Sequence, residues 1–255
     1  MKDQSRSLSI PRKPSDAAKL SSSQRIEWDA KAIVEELKRL GSTTNVEGMA
    51  RFGIRAKVCY GVAKPSLDSL AKKIGRNHLL ALELWDTGVH DARILAGMID
   101  DPSQVTPSQM ERWVREFDNW DICDGTCCHL FVFAEPAWTK AFAWSKRKQE
   151  FQKRAGFALA AYLAYRDKTA PDSKFKKFLR VIEREAWDER NFVRKAVNWA
   201  LRNIGKRNRY LNQQAIASAK KLHKSKLPVT RWIAADAIRE LQGDAVQERL
   251  RRKQG

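Results

Sequence analysis

The chain has 255 residues, 43% of them hydrophobic and 31% charged, which is typical of a soluble globular protein. No run of about 18 apolar residues and no apolar N-terminal leader is present, so we expect neither a membrane span nor secretion. Four cysteines, three of them within six residues, do not make a disulfide framework. We therefore expect free thiols and a reducing cytoplasmic location, associated with the nucleoid.

The net charge of +19 predicts a polyanionic partner, nucleic acid first and an anionic membrane second. The charge is unevenly distributed along the chain. Residues 190–255 contain 17 basic and 4 acidic residues, whereas residues 86–135 contain 3 basic and 10 acidic ones. This distribution is expected if one surface meets phosphates and another does not.

Residues 1–24 are rich in Ser, Pro and charge and predict a flexible tail. From about residue 25 the apolar residues recur at helical spacing, as in Ile33, Val34, Leu37 and Leu40. We expect one helical domain over residues 25–245, followed by a basic C-terminal end at residues 246–255.

The pattern predicts roughly a dozen helices with short connectors and no alternating strand, so the fold class is all-α. Helix pairs recur at roughly 35–45 residues, the range of HEAT and armadillo repeats. We expect an α-solenoid, a superhelix of paired antiparallel helices with a concave basic face. A compact, irregular helical bundle is the alternative.

The segment WVREFDNWDICDGTCCH, residues 113–129, gathers acids, aromatics and soft metal ligands in a basic chain. Cys123, Cys127, Cys128 and His129 form a single cluster without the second ligand pair that zinc sites use, so we predict no metal. Buried free cysteines usually pack as small hydrophobic residues. The metal site and the ordinary packed helix remain the alternatives to a carboxylate site here.

Trp120 and Asp124 lie one helical turn apart and therefore share a face. This is also the pattern of a tryptophan that shields an acid paired with an arginine. Arg154 lies just off an apolar helix face, where it either pairs with Asp124 or holds a phosphate. Trp199 lies on the basic face of its helix, which suits contact with a sugar or base, although burial against a neighbouring layer is equally expected.

Four segments together resemble the DNA alkylation repair glycosylases built from HEAT-like repeats, the AlkD type. They read YGVAKPSLDSLAKKIG, ELWDTGVHDARILAGMIDDP…WVREFDNWDICD, KRAGFALAAYLAY and ERNFVRKAVNWALRNIGKRN. The likeness covers about residues 45–240. It implies excision of N3- and N7-alkylated purines from duplex DNA, without a metal, a cofactor or a deep base pocket.

The resemblance also implies site residues. Asp124 matches the catalytic carboxylate, and Trp120, Trp199 and Arg154 match its partners. For the arginine, a slip of one residue would select Lys153. The cysteines after Asp124 are a departure from the family pattern.

We expect the protein to act as a monomer on double-stranded DNA with alkylated bases, without a membrane partner. The basic residues predicted to contact DNA are Lys153, Arg194, Lys195, Arg202, Lys206, Arg207, Arg209, Lys224 and Arg231. Two alternatives remain: a catalytically inactive solenoid that binds DNA, RNA or proteins as a scaffold, and a structural solenoid that binds an acidic protein.

Overall fold

The computed structural model describes residues 28–252, which form fourteen α-helices and one 3₁₀ helix and contain no β-strand. The predicted tail, residues 1–24, lies outside the described residues. The helices are α1 Ala30–Arg39, α2 Thr43–Arg51, α3 Lys64–Ile74, α4 His78–Asp86, α5 His90–Ile99, α6 Pro107–Arg115, α7 Trp120–His129, α8 Ala137–Trp144, α9 Glu150–Arg166, α10 Asp172–Glu185, α11 Asn191–Gly205, α12 Arg209–His223, α13 Pro228–Gln242 and α14 Asp244–Arg252, with the 3₁₀ helix at Phe131–Phe133.

Helices α5, α7, α9, α11 and α13 pack side by side and form an inner layer. Outside them, α4, α8, α10 and α12 pack against α5, α9, α11 and α13. Each outer helix precedes its inner partner in the chain, so the fold is an α-solenoid of helix pairs, as predicted. None of the described helices has the length and apolar composition needed to cross a bilayer.

The core lies between these layers and is rich in aromatic side chains. Trp85 and Trp113 are fully buried and stack face to face, with ring centroids 3.9 Å apart. Phe117 and Phe131 pack around this pair. Trp85, Trp113 and Phe117 therefore belong to the core.

Local signals fix where the helices begin. The Thr106 hydroxyl accepts a hydrogen bond from the Gln109 amide at 3.1 Å, and Pro107 occupies the first turn of α6.

At the C-terminal end of the described chain, the helical domain extends past residue 245. Helix α14 buries Val246 and Leu250, so residues 246–252 pack on the fold instead of forming a separate end.

Candidate active site

The inner layer carries an open cleft of about 650 Å³, bounded by α3, α7, α9, α11 and α13. Its lining includes all four side chains that the resemblance implies for the site: Trp120, Asp124, Arg154 and Trp199. These residues come from three different helices, so only the packing of the solenoid brings them together.

The start of α7 fixes the position of Trp120 and Asp124. The Asn119 side chain caps this helix and accepts hydrogen bonds from the amides of Asp121 and Ile122 at 3.0 and 3.1 Å. Trp120 is therefore the first helical residue, and Asp124 follows one turn later on the same face.

Arg154 and Asp124 form a two-bond ion pair at the floor of the cleft. The Arg154 Nε lies 2.9 Å from Asp124 Oδ1, and Nη2 lies 2.6 Å from Oδ2. Its Nη1 donates to the Phe192 carbonyl at 2.7 Å. Of the two roles left open for Arg154, the structure shows the pairing with Asp124.

The electrostatic environment of this pair combines two opposing effects. Burial raises the pKa of Asp124 above its ordinary value, while the charge and hydrogen bonds of Arg154 oppose that rise. For Arg154, burial acts to lower the pKa, but Asp124 outweighs it and the net shift is upward. The geometry is that of a guanidinium–carboxylate pair, so Asp124 presents an anion to the cleft.

Two half-buried indoles line the cleft together with this carboxylate. Trp120 donates its Nε1 hydrogen to the Phe52 carbonyl at 3.0 Å, which fixes the ring against the segment after α2. Trp199 meets the edge of Tyr162, with ring centroids 4.9 Å apart. The rings of Trp120 and Trp199 therefore both border the cleft.

Trp232 is an aromatic residue of the cleft that the sequence did not predict as part of the site. It lies at the start of α13, is 40% exposed and lines the cleft. Arg194, predicted to contact DNA, stacks on its ring at 5.1 Å from the centroid. The signal in the sequence is a tryptophan that directly follows Arg231 in a basic segment.

The structure corrects the prediction that Lys153 contacts DNA. This side chain is buried, and its ammonium lies 2.9 Å from carboxylates of both Glu185 and Asp188. It also stacks on Trp187. Lys153 therefore belongs to an internal ion-pair network and is not available to a phosphate, and Arg154 is the residue that faces Asp124.

The structure also corrects the prediction that Arg207 contacts DNA. Its guanidinium donates to the carbonyls of Ala164, Lys168 and Ala170 at 3.0 to 3.2 Å and lies over the Phe175 ring. These contacts join the last turn of α9 and the loop between α9 and α10 to the end of α11. Its role in this structure is to hold that loop.

The other predicted DNA contacts differ in how they are held. Arg202 and Lys206 both pair with Glu240, the latter at 2.6 Å, and Arg202 lines the cleft. Lys195 is exposed and lines the cleft. Arg209, Lys224 and Arg231 are exposed, and Arg231 donates to the carbonyls of Ser225 and Lys226. These side chains remain predicted DNA contacts.

The cysteines next to Asp124 pack between helices. The thiols of Cys123 and Cys127 are buried and approach the carbonyls of Phe151 and Ala155 on α9 at 3.5 and 3.8 Å. This confirms that these two are packing residues. Within residues 28–252, no three or more His, Cys, Asp or Glu side chains are grouped so that they could hold a metal ion.

The described chain is thus a helical solenoid whose inner helices bring an acid, an arginine and tryptophans to one cleft. Residues 33–241 match the family model described as DNA alkylation repair enzyme, and the chain belongs to that family.

A solved structure is also similar, with a TM-score of 0.69 and 25% sequence identity over 83% of this chain and 95% of that chain. It is described as representing a new family of proteins related to the HEAT-like repeat DNA glycosylases with affinity for branched DNA structures. No curated protein sequence matches the chain significantly.

Proposed function

We propose that the protein is a monofunctional DNA glycosylase that removes cationic N3- and N7-alkylated purines from duplex DNA by hydrolysis of the N-glycosidic bond. The observation that carries the proposal is the anionic Asp124 in an open cleft that Trp120 and Trp199 also line. Membership of the DNA alkylation repair family supports it.

The chemistry follows from the charge of the substrate. An N3- or N7-alkylated purine already carries a positive charge, so the base leaves without being protonated. The demanding species is the sugar cation that develops at C1′ as the bond breaks. A fixed carboxylate stabilises this cation and orients the attacking water, so Asp124 has this role. The indole faces of Trp120 and Trp199 add cation–π stabilisation.

Arg154 acts on Asp124 and not on the substrate. Its two hydrogen bonds hold the carboxylate in one orientation, which preorganises the charge before the substrate binds. A lyase step would need an amine of lowered pKa. The lysines that line the cleft, Lys64 and Lys195, are exposed, and Lys64 pairs with Asp68. We therefore propose hydrolysis alone.

A second candidate function is DNA binding without catalysis. Two observations favour it: the similar solved structure is described by its affinity for branched DNA, and both oxygens of Asp124 already accept a hydrogen bond from Arg154. In that case the basic inner face binds DNA and the acid has a structural role.

One experiment separates the two. The protein is incubated with duplex DNA treated with a methylating agent, and the released bases are separated by chromatography. We expect release of 7-methylguanine and 3-methyladenine without strand cleavage. Binding to duplex and four-way-junction DNA with no base release would contradict the glycosylase and support the binding module.

A further inference from the structure

The C-terminal end of α9 carries exposed aromatic and basic side chains that lie outside the cleft lining. Tyr165 is 61% exposed, and Phe133, in the 3₁₀ helix after α7, is 50% exposed. The Arg166 guanidinium lies over both rings, 5.6 Å from the Phe133 centroid and 5.2 Å from that of Tyr165. The Lys168 ammonium lies 5.1 Å from the Tyr165 centroid. These four side chains are called the aromatic–basic cluster below.

Both positive charges of the aromatic–basic cluster are available to a partner. Among the residues that the structure describes, neither Arg166 nor Lys168 forms an ion pair with a carboxylate. Asp167, which separates them in the chain, accepts hydrogen bonds from the Trp138 indole at 2.8 Å and from the Thr169 hydroxyl at 3.0 Å. The two charges are therefore not neutralised within the fold, and they attract a polyanion.

The aromatic–basic cluster continues the cleft along α9. Arg154 on the cleft floor and Tyr162 in its lining belong to this helix, and Arg166 follows Tyr162 by about one turn. Arg154 and Arg166 are separated by about 18 Å along the helix axis. His129 lines the cleft four residues before Phe133, and burial lowers its pKa, with a further contribution from nearby cations that include Arg166. A strand that leaves the cleft toward the end of α9 therefore reaches the cluster.

Exposed rings beside cations suit a nucleic acid strand, because bases stack on the rings while the cations hold phosphates. The rings also discriminate between two forms of DNA. Stacking hides the faces of the bases inside a duplex, whereas an unpaired strand presents them. Lysine and arginine alone would bind the backbone of either form. The combination in the aromatic–basic cluster therefore favours an unpaired strand.

We propose that the aromatic–basic cluster binds an unpaired stretch of DNA that extends from the cleft. Its bases stack on Phe133 and Tyr165, and its phosphates contact Arg166 and Lys168. This inference goes beyond the proposed glycosylase, which acts on duplex DNA, and it does not depend on base release. It makes a duplex with a single-stranded extension a better ligand than a blunt duplex.

The test measures binding of the whole protein to two fluorescently labelled DNAs by anisotropy. One is a blunt duplex, and the other is the same duplex with a single-stranded thymidine extension of about 12 nucleotides. We expect the wild type to bind the extended duplex at least about tenfold more tightly than the blunt duplex.

The double variant Phe133→Ala/Tyr165→Ala removes both rings and leaves the net charge unchanged. Its affinity for the extended duplex is expected to fall at least about tenfold, because the bases lose their stacking partners. Its affinity for the blunt duplex should remain that of the wild type, since that DNA is held by the cleft. A constant net charge separates the effect of stacking from that of phosphate attraction.

Tyr210→Ala is the matched control. Tyr210 is an exposed tyrosine in the first turn of α12, and its hydroxyl accepts a hydrogen bond from Lys176 at 3.3 Å, outside the aromatic–basic cluster. This variant is expected to bind both DNAs as the wild type does. Thermal unfolding of each variant shows that it is folded.

Equal wild-type affinity for the two DNAs would overturn the assignment, and so would an unchanged preference in the folded double variant. Equal losses on both DNAs would also overturn it, because the rings would then contact the duplex. Base release from methylated duplex DNA is measured in parallel. Release by a wild type that has no preference for the extension leaves the glycosylase standing without the cluster. A preference that the double variant loses supports the cluster even if no base is released.

Discussion

At the scale of single residues, the site depends on one buried pair. Asp124 and Arg154 are held by two hydrogen bonds, and removing one partner of such a pair leaves an uncompensated charge. The pair also sets the protonation of the acid, since burial and Arg154 act on it in opposite directions.

A pH dependence follows from this environment. Asp124 must be ionised to stabilise the sugar cation, and burial raises its pKa above its ordinary value. The excision rate should therefore fall as the pH decreases through an apparent pKa higher than about 3.9, the value of an unperturbed Asp. Single-turnover release of 7-methylguanine across acidic pH, corrected for uncatalysed depurination, checks this. A rate that stays constant down to the ordinary Asp pKa would contradict it.

The resemblance implies Asp124, Trp120 and Arg154 as site residues, but a slip of one residue would select Lys153 in place of Arg154. Helix α9 is buried on almost every side, so its apolar pattern has no single face from which to read the direction of either cation. Both are buried, and only the neighbouring helices decide which one meets Asp124. A pattern along one helix contains no such information.

At the scale of elements, helix α2 and the loop that follows it, residues 43–63, are the part that the sequence did not predict. Helix α2 has no buried residue, so it lacks the apolar stripe by which the other helices were recognised. Its position depends on polar contacts, such as that of the Asn45 side chain with the Gly61 carbonyl at 2.8 Å. The cavity that α2 helps to enclose beside the cleft could not be predicted for the same reason.

Two glycines of this segment should respond in opposite directions to alanine. Gly48 is helical with open space around it, so Gly48→Ala should raise the free energy of unfolding by about 0.5–1 kcal/mol. Gly53 has φ of +83°, and its Cβ would lie 2.9 Å from the Phe192 ring. Gly53→Ala should lower that free energy by about 1–2 kcal/mol. Urea denaturation measures both, and equal effects of the same sign would contradict this description.

At the scale of the whole molecule, the all-α solenoid was predictable because helical spacing continues along nearly the whole chain. The charge pattern along the chain was a less reliable guide to which basic residues face DNA. Lys153 and Arg207 from the basic segments have internal partners, because a solenoid buries residues of each inner helix against its neighbours. Exposed basic residues such as Lys195, Arg209, Lys224 and Arg231 remain the predicted DNA contacts.

The binding surface can be tested with a matched pair of lysines. Lys195 is exposed on the cleft, whereas Lys177 is exposed on α10 in the outer layer. Lys195→Ala should weaken binding to duplex DNA and reduce the slope of log affinity against log salt by about one. Lys177→Ala should change neither quantity. Fluorescence anisotropy over a range of salt concentrations measures both, and equal losses in the two variants would argue against the inner face as the DNA surface.

The proposed glycosylase depends on stabilisation of the sugar cation by Asp124. Its most direct test is single-turnover release of 7-methylguanine from methylated duplex DNA by wild type, Asp124→Asn and Asp118→Asn. Asp118 is an exposed acid just before α7 and lies outside the cleft lining. Asp118→Asn therefore removes the same negative charge as Asp124→Asn without changing the cleft. We expect Asp124→Asn to abolish release while leaving DNA binding nearly intact, and Asp118→Asn to retain both. Unchanged release by folded Asp124→Asn would contradict it.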